Sequence, residues 1–352
     1  MDTQTHGQPA AGERPPLYFH HPASLEHDPR AHSPHHPDTP ERLLRIERTL
    51  AEHDWAGWQR RQAPALDEAT LELVHTPGHV ERIRQLSSVG GGAIDPDTIV
   101  GEASYLAALH AAGGACTMTR VLMSREAQVA FCALRPSGHH AEAGRAMGFC
   151  LFNNIAVAAE LAIRELGTRR VFVLDWDVHH GNGTAEIFRY RRDILFASIH
   201  QGGIYPGTGA LDDVGSGPGE GYTINLPVPA GSEEDLWLSL LEHIVLPAAR
   251  AFEPDLVLIS AGFDAHRLDP LAGCRLETGS FAQMARHVRQ LAAERRLPLG
   301  AVLEGGYEPQ ALADSVLATL VALGSDEPPR PTAPEAVSIS RAASQIGQYW
   351  PL

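Results

Sequence analysis

The sequence is poor in positive charge, in cysteine and in long apolar runs, and each shortage removes a class of function. Its 352 residues carry 28 basic and 43 acidic side chains, a formal net charge of -15. Nucleic-acid scaffolds need clustered cations to meet phosphates, so no nucleic-acid partner is expected. An acidic surface attracts cationic ligands, although the same balance also serves solubility alone. The four cysteines, Cys116, Cys132, Cys150 and Cys274, are widely spaced with no Cys-x-x-Cys pair. They read as reduced thiols of a cytoplasmic protein. No apolar run approaches the ~18 residues of a membrane helix, so no span is expected. The first residues lack the basic and apolar stretches of a signal peptide. They read as a disordered lead-in over 1–16, ahead of one domain over 17–352.

What is present is a regular alternation. Strands are predicted at 128–134, 171–177, 194–200, 255–262 and 299–306, and helices at 101–123, 153–166, 233–252 and 279–295. That order predicts an α/β fold with right-handed crossovers and a parallel sheet covered by helices on both faces. No linker interrupts it, which argues for a single domain. The Pro-rich stretch after Gly324 reads as a surface excursion, with a last helical piece packing back. Residues 20–40 are rich in His and Pro; their irregular spacing favours a loop over a metal site.

The segment VFVLDWDVHHGNGT ends an apolar run on two acids and two imidazoles. Asp175, Asp177 and His179 stand at i, i+2 and i+4, and share a side if the strand continues that far. Their oxygen and nitrogen atoms suit Zn²⁺ or a similar ion. An ionised strand end capped by Arg or Lys is the plain alternative. Three other runs also end on chemically competent residues: His139 and His140 after RPSG, Asp264 after SAGF, and Tyr307 after LEGG. Parallel sheets bind ligands at the carboxyl ends of their strands, so these residues converge on one crevice. Asp177, His179 and Asp264 would give a catalytic zinc three ligands and leave one position open for water. A neighbouring His could carry the water's proton to a leaving amine, and a Tyr hydroxyl could donate to the oxyanion. Together these parts hydrolyse an amide.

RPSGHH, AMGFCLFNN, LDWDVHHGNGT, YPGTG, SAGFDAHRLDP and LEGGY, in that order, resemble the zinc-dependent histone deacetylase and acetylpolyamine amidohydrolase family. The resemblance is to its class II-like bacterial amidohydrolases. It implies an arginase/deacetylase-like single domain with an eight-stranded parallel sheet, a zinc ion and structural potassium. It implies Asp177, His179 and Asp264 as zinc ligands. His140 is then general base and acid, and His139, bonded to Asp175, its more electrostatic partner. Asn182 stands where other branches have Asp, and orients His140. Tyr307 is the transition-state tyrosine. Asp175, Asp177, His179 and Ser198 resemble a potassium site, partly through backbone carbonyls. Gly148, Phe149 and Tyr205 line the acyl tunnel, Tyr205 standing where many members have Phe. Leu271 is apolar where polyamine-selective relatives can carry an acid, which tilts the expected substrate from acetylpolyamines toward acyl-lysine or a similar acylated amine. Asp95 or Asp97 would hold the substrate backbone at the rim. Cys150 reads as packing. A binuclear arginase-like site is disfavoured because the run from Asp264 through His266 to Asp269 is one residue too long. A catalytically silent acyl-amine binding protein would lack a ligand, a His or the Tyr, and none is missing. Acyl-chain preference and oligomeric state stay open.

Overall fold

A computed structural model describes residues 15–332 and 336–352. All but the end of the predicted lead-in over 1–16 lies outside the described residues. The strands, in chain order, are β1 (Leu17–His20), β2 (Gln59–Gln62), β3 (Gly91–Ala93), β4 (Ile99–Gly101) and β5 (Val129–Cys132). They continue with β6 (Val171–Asp175), β7 (Ile194–Gln201), β8 (Thr223–Val228), β9 (Leu256–Ala261) and β10 (Leu299–Leu303). Eight of them form one sheet in the order β2-β1-β5-β10-β9-β6-β7-β8, and β3 with β4 forms a separate antiparallel pair. Every pairing in the large sheet is parallel.

Side-chain alternation builds two core layers on this sheet. Val171 and Val173 of β6 join Ala130, Cys132, Leu256 and Leu258 in one layer. Phe172 and Leu174 join Phe131, Val257 and Ile259 in the other. Both faces are covered, which is why the central strands are apolar throughout. Helices Ser104–Met123 and Asn154–Glu165 pack on the first layer; Glu41–Glu52, Thr278–Arg295 and Pro309–Leu323 pack on the second. The helix at Asn154 starts there because the Asn153 side chain accepts the Ala156 N–H at 3.1 Å, satisfying an end donor.

The five predicted strands are present and adjacent, spanning β5 to β7 across the middle of the sheet. Three further strands carried no clear signal. β2 is QRRQ, a polar edge strand with no apolar alternation. β8 carries Pro227, tolerated because it too is an edge. β1 is only four residues long. The predicted helix over 233–252 is interrupted. Glu234–Leu240 passes into a π-turn at Leu241–Val245 before Leu246–Phe252, where Pro247 has no N–H for a regular turn. Helix Ala336–Ile346 packs back through Ile339, Ala342 and Ile346. Among the described residues, no helix is long and apolar enough to cross a membrane.

Candidate active site

β6 ends at Asp175, so a continuing strand does not place Asp177 and His179 on Asp175's side. The expected i, i+2, i+4 geometry does not form: two consecutive side-chain turns replace it. Asp175 Oδ1 accepts the Asp177 N–H at 3.0 Å, and Asp177 Oδ1 accepts the His179 N–H at 2.9 Å. Asp264, beyond β9, accepts the Val178 N–H at 2.9 Å and so ties the two strand ends together. The chain thereby gathers Asp177, His179 and Asp264, all buried, with one ligand atom of each within 4.8 Å of the others. His179 Nδ1 lies 3.2 Å from Asp177 Oδ1 and 3.1 Å from Asp264 Oδ2. Glycine is required alongside: a Cβ on Gly262 would meet the Asp177 carboxylate, and one on Gly305 would meet both carboxylates.

No arginine forms an ion pair with Asp177 or Asp264 among the described residues. Burial works against a charged His179, yet hydrogen bonds from its ring to Asp177 and Asp264 hold it up at about 10. Burial and the Asp177 charge push the Asp264 carboxyl up. The cluster thus draws in positive charge to offset two buried carboxylates. Its two oxygen donors and one imidazole fit a divalent cation such as zinc.

His139 and His140 follow β5 and are both buried, with ring centroids 4.0 Å apart. Their partners differ. His139 Nδ1 is 2.9 Å from Asp175 Oδ2; burial opposes its charge, but Asp175 and Asp177 hold it well above the usual imidazole range. His140 Nδ1 is 2.8 Å from Asn182 Oδ1. The Asn182 Nδ2 faces three acceptors, His140 O at 3.4 Å, Glu142 Oε1 at 3.2 Å and Met147 Sδ at 3.3 Å, so its oxygen must face the ring. Nδ1 of His140 therefore carries the proton and Nε2 keeps a lone pair. Burial, then His139 and His179, hold His140 well below its usual range.

A cavity of about 200 Å³ leads to this floor, lined by Asp97, His140, Gly148, Phe149, His179, Tyr205, Leu271 and Tyr307. It is narrower than the roughly 300–1,000 Å³ of drug-sized sites and suits a linear chain. Gly148 and Phe149 both take positive φ, 55° and 67°, and a Cβ on Gly148 would strike the His140 ring. Tyr205 stands edge-on to His140 at 5.1 Å. Tyr307 meets the Phe149 edge at 5.6 Å and the Arg42 guanidinium at 4.7 Å. Burial pushes its phenol well up, so the hydroxyl stays a donor. Of the two rim acids, Asp97 lines the cavity; Asp95 turns inward to accept the Asp97 and Thr98 N–H groups at 3.2 and 2.7 Å. Ser198 pairs in register with Asp175, its hydroxyl 2.9 Å from His200 Nδ1. His266 faces away, accepting the Leu268 N–H at 3.2 Å and stacking on Phe281. Cys150 is buried, which pushes its thiol well up, consistent with packing.

Of four supporting groups, only Asp269 has a place in the sequence expectations, as the end of the disfavoured arginase-like run. Glu304 accepts the Gly138 and His139 N–H groups at 2.8 and 3.2 Å, its carboxyl pushed up to about 7 by burial. Arg42 donates to Asp38, to Gly306 O and to Glu304 O. Arg135 shares the same Asp38 oxygen at 2.7 Å. Asp269 accepts the Tyr307 N–H at 2.7 Å. Their only signal was a charge inside an otherwise apolar or Pro-bounded stretch, such as the Glu of LEGGY.

The histone deacetylase domain family matches residues 36–323. The chain is 41% identical over 279 residues to a histone deacetylase-like amidohydrolase of Pseudomonas aeruginosa, covering 77% of this chain and 72% of that protein. It is 44% identical over 286 residues to a probable deacetylase of Methanothermobacter thermautotrophicus, covering 79% and 84%. Against histone deacetylase 15 of Arabidopsis thaliana it is 37% identical over 332 residues, which is 90% of this chain but only 59% of that protein's length. The crystal structure of the HDA15 HD domain superposes with a TM-score of 0.89 at 34% identity, covering 96% of each chain. Sequence and fold agree over most of the chain, and it therefore belongs to the histone deacetylase family of hydrolases.

Proposed function

We propose that the protein is a zinc-dependent amidohydrolase that removes acetyl or other acyl groups from N-acyl-lysine side chains or similar acylated amines. The carrying observation is the buried Asp177–His179–Asp264 cluster at the floor of a narrow cavity walled by His140 and Tyr307. Asp177, His179 and Asp264 would hold the zinc ion, which would supply Lewis acidity toward the acyl carbonyl and the attacking water. His140 Nε2 takes a proton as water attacks and returns it to the leaving amine. His139, bonded to Asp175, holds positive charge beside the developing negative charge. The Tyr307 hydroxyl donates to the oxyanion. Phe149, Tyr205 and Leu271 pack the methylene chain, and Asp97 receives the substrate's backbone N–H groups at the rim. A structural potassium at Asp175, Asp177, His179 and Ser198 belongs to the same reading.

The test is a hydrolysis panel on zinc-loaded protein: acetyl-lysine peptides, longer acyl-lysine peptides and acetylated polyamines, each with and without a hydroxamate chelator. All 28 basic residues of this chain are arginine, so any acetyl-lysine signal belongs to the added substrate. Peptide turnover blocked by the chelator is expected. Turnover of acetylpolyamines alone would overturn the acyl-lysine assignment, and no turnover with zinc bound would overturn the enzyme.

A further inference from the structure

The loop after Asp264 contains one carboxylate that the proposed chemistry does not use. Asp269 is 8% exposed, and among the described residues it forms no ion pair with an arginine. Both of its oxygens go to backbone. Oδ2 accepts the Tyr307 N–H at 2.7 Å, and Oδ1 accepts the Leu271 N–H at 3.0 Å. Its own N–H donates to His266 O at 2.9 Å, which anchors the loop.

Those two N–H groups belong to residues that both line the cavity. Tyr307 lies past the end of β10, where no strand partner can hold it. The residue before it, Gly306, sits at φ 121°, a turn with little intrinsic stiffness. Arg42 and Phe149 orient the ring, and Arg42 also donates to Gly306 O on the other side of the same peptide, but neither takes the Tyr307 N–H. Asp269 does, its Oδ2 accepting the Tyr307 N–H at 2.7 Å. An oxyanion donor works only within about 2.7–3.1 Å of the developing charge, so small shifts in Tyr307 cost the transition state more than the bound substrate.

We propose that Asp269 is a positioning residue: it sets the Tyr307 hydroxyl against the tunnel wall at Leu271, acting on turnover through Tyr307. This rests on the reading of Tyr307 as the oxyanion donor. Asp269→Asn keeps the size and loses one of the two acceptors. Asp269→Glu keeps both acceptors on a longer arm; Asp269→Ser replaces the Asn variant throughout if that one does not fold.

The measurement is kcat and KM on an acetyl-lysine peptide, with zinc content, for the wild type, Asp269→Asn, Tyr307→Phe and the double variant. Asp269→Asn should lower kcat by about tenfold or more and move KM by less than about threefold, with zinc content unchanged. In the Tyr307→Phe background the same change should cost less than about twofold, because the group it acts through is gone. Asp269→Glu should recover part of the lost kcat. Losses that multiply fully in the double variant, or a wild-type kcat in Asp269→Asn, would overturn the assignment. Full activity of Tyr307→Phe alone would instead overturn the role of Tyr307 on which it stands.

Discussion

The side-chain oxygen of Asn182 lies 2.8 Å from Nδ1 of His140, and that contact selects which ring nitrogen is free to accept a proton. Asn182→Leu removes the acceptor and lets the ring take the other tautomer. Turnover should fall on the order of 10–100-fold with zinc content unchanged, the usual scale for removing a residue that orients a working imidazole. A wild-type rate would show that the tautomer is set elsewhere.

Tyr307→Phe and His140→Ala remove the oxyanion donor and the proton carrier. Each should cut kcat by about 10²-fold or more. Steady-state kinetics on one peptide decide this, and near-normal turnover in either variant would refute the role assigned to that residue.

Asp264→Ala should abolish stoichiometric zinc, because it removes one of only three donors in the cluster. Elemental analysis of dialysed protein reads this directly. Full occupancy would exclude Asp264 as a ligand. In the wild type a chelator should also lower the melting temperature, since an ion bound only by the folded chain stabilises it.

His75 predicts an acid weakness away from the catalytic centre. Its Nε2 accepts the Asn153 N–H at 2.8 Å and its Nδ1 lies 3.1 Å from Glu142 O, so the neutral ring is fully bonded. Burial, aided by His79, drives its pKa down to about 3. Below pH 6.5 the unfolded chain takes a proton that the folded chain refuses. Stability is therefore complete above about pH 6.5 and declines as the pH falls toward 3. Melting temperatures at pH 7.5 and 5.0 should differ less in His75→Asn than in the wild type. An equal drop would remove His75 as a cause.

The sheet's centre and the candidate site were legible together, for one physical reason. Strands buried on both faces are apolar throughout, so a His, Asp or Tyr at the end of such a run stands out, as His139, Asp264 and Tyr307 do. The edges had no such contrast: β2 is polar and β8 holds a proline. The run from Asp175 to His179 was read with a strand's period because nothing local announced that side-chain turns take over. The roles of Arg42, Arg135 and Asp269 left no local pattern for another reason. Each reaches a partner across the fold, Arg42 meeting Gly306 over 264 residues, Arg135 meeting Asp38 over 97 and Asp269 meeting Tyr307 over 38.

The strand order also dictates when the site can exist. His179 and Asp264 are neighbours in space and 85 residues apart in the chain, joined only once β9 docks on β6. Pairing β6 with β7, the nearer event in the chain, creates no site at all. On the proposed zinc reading, a nascent or partly opened chain lacks the third ligand, and a bound ion would act as a clasp across the β6–β9 seam. Its escape should track parting of the sheet's middle rather than fraying at the edges, making metal release a clock for the rarest opening of the molecule.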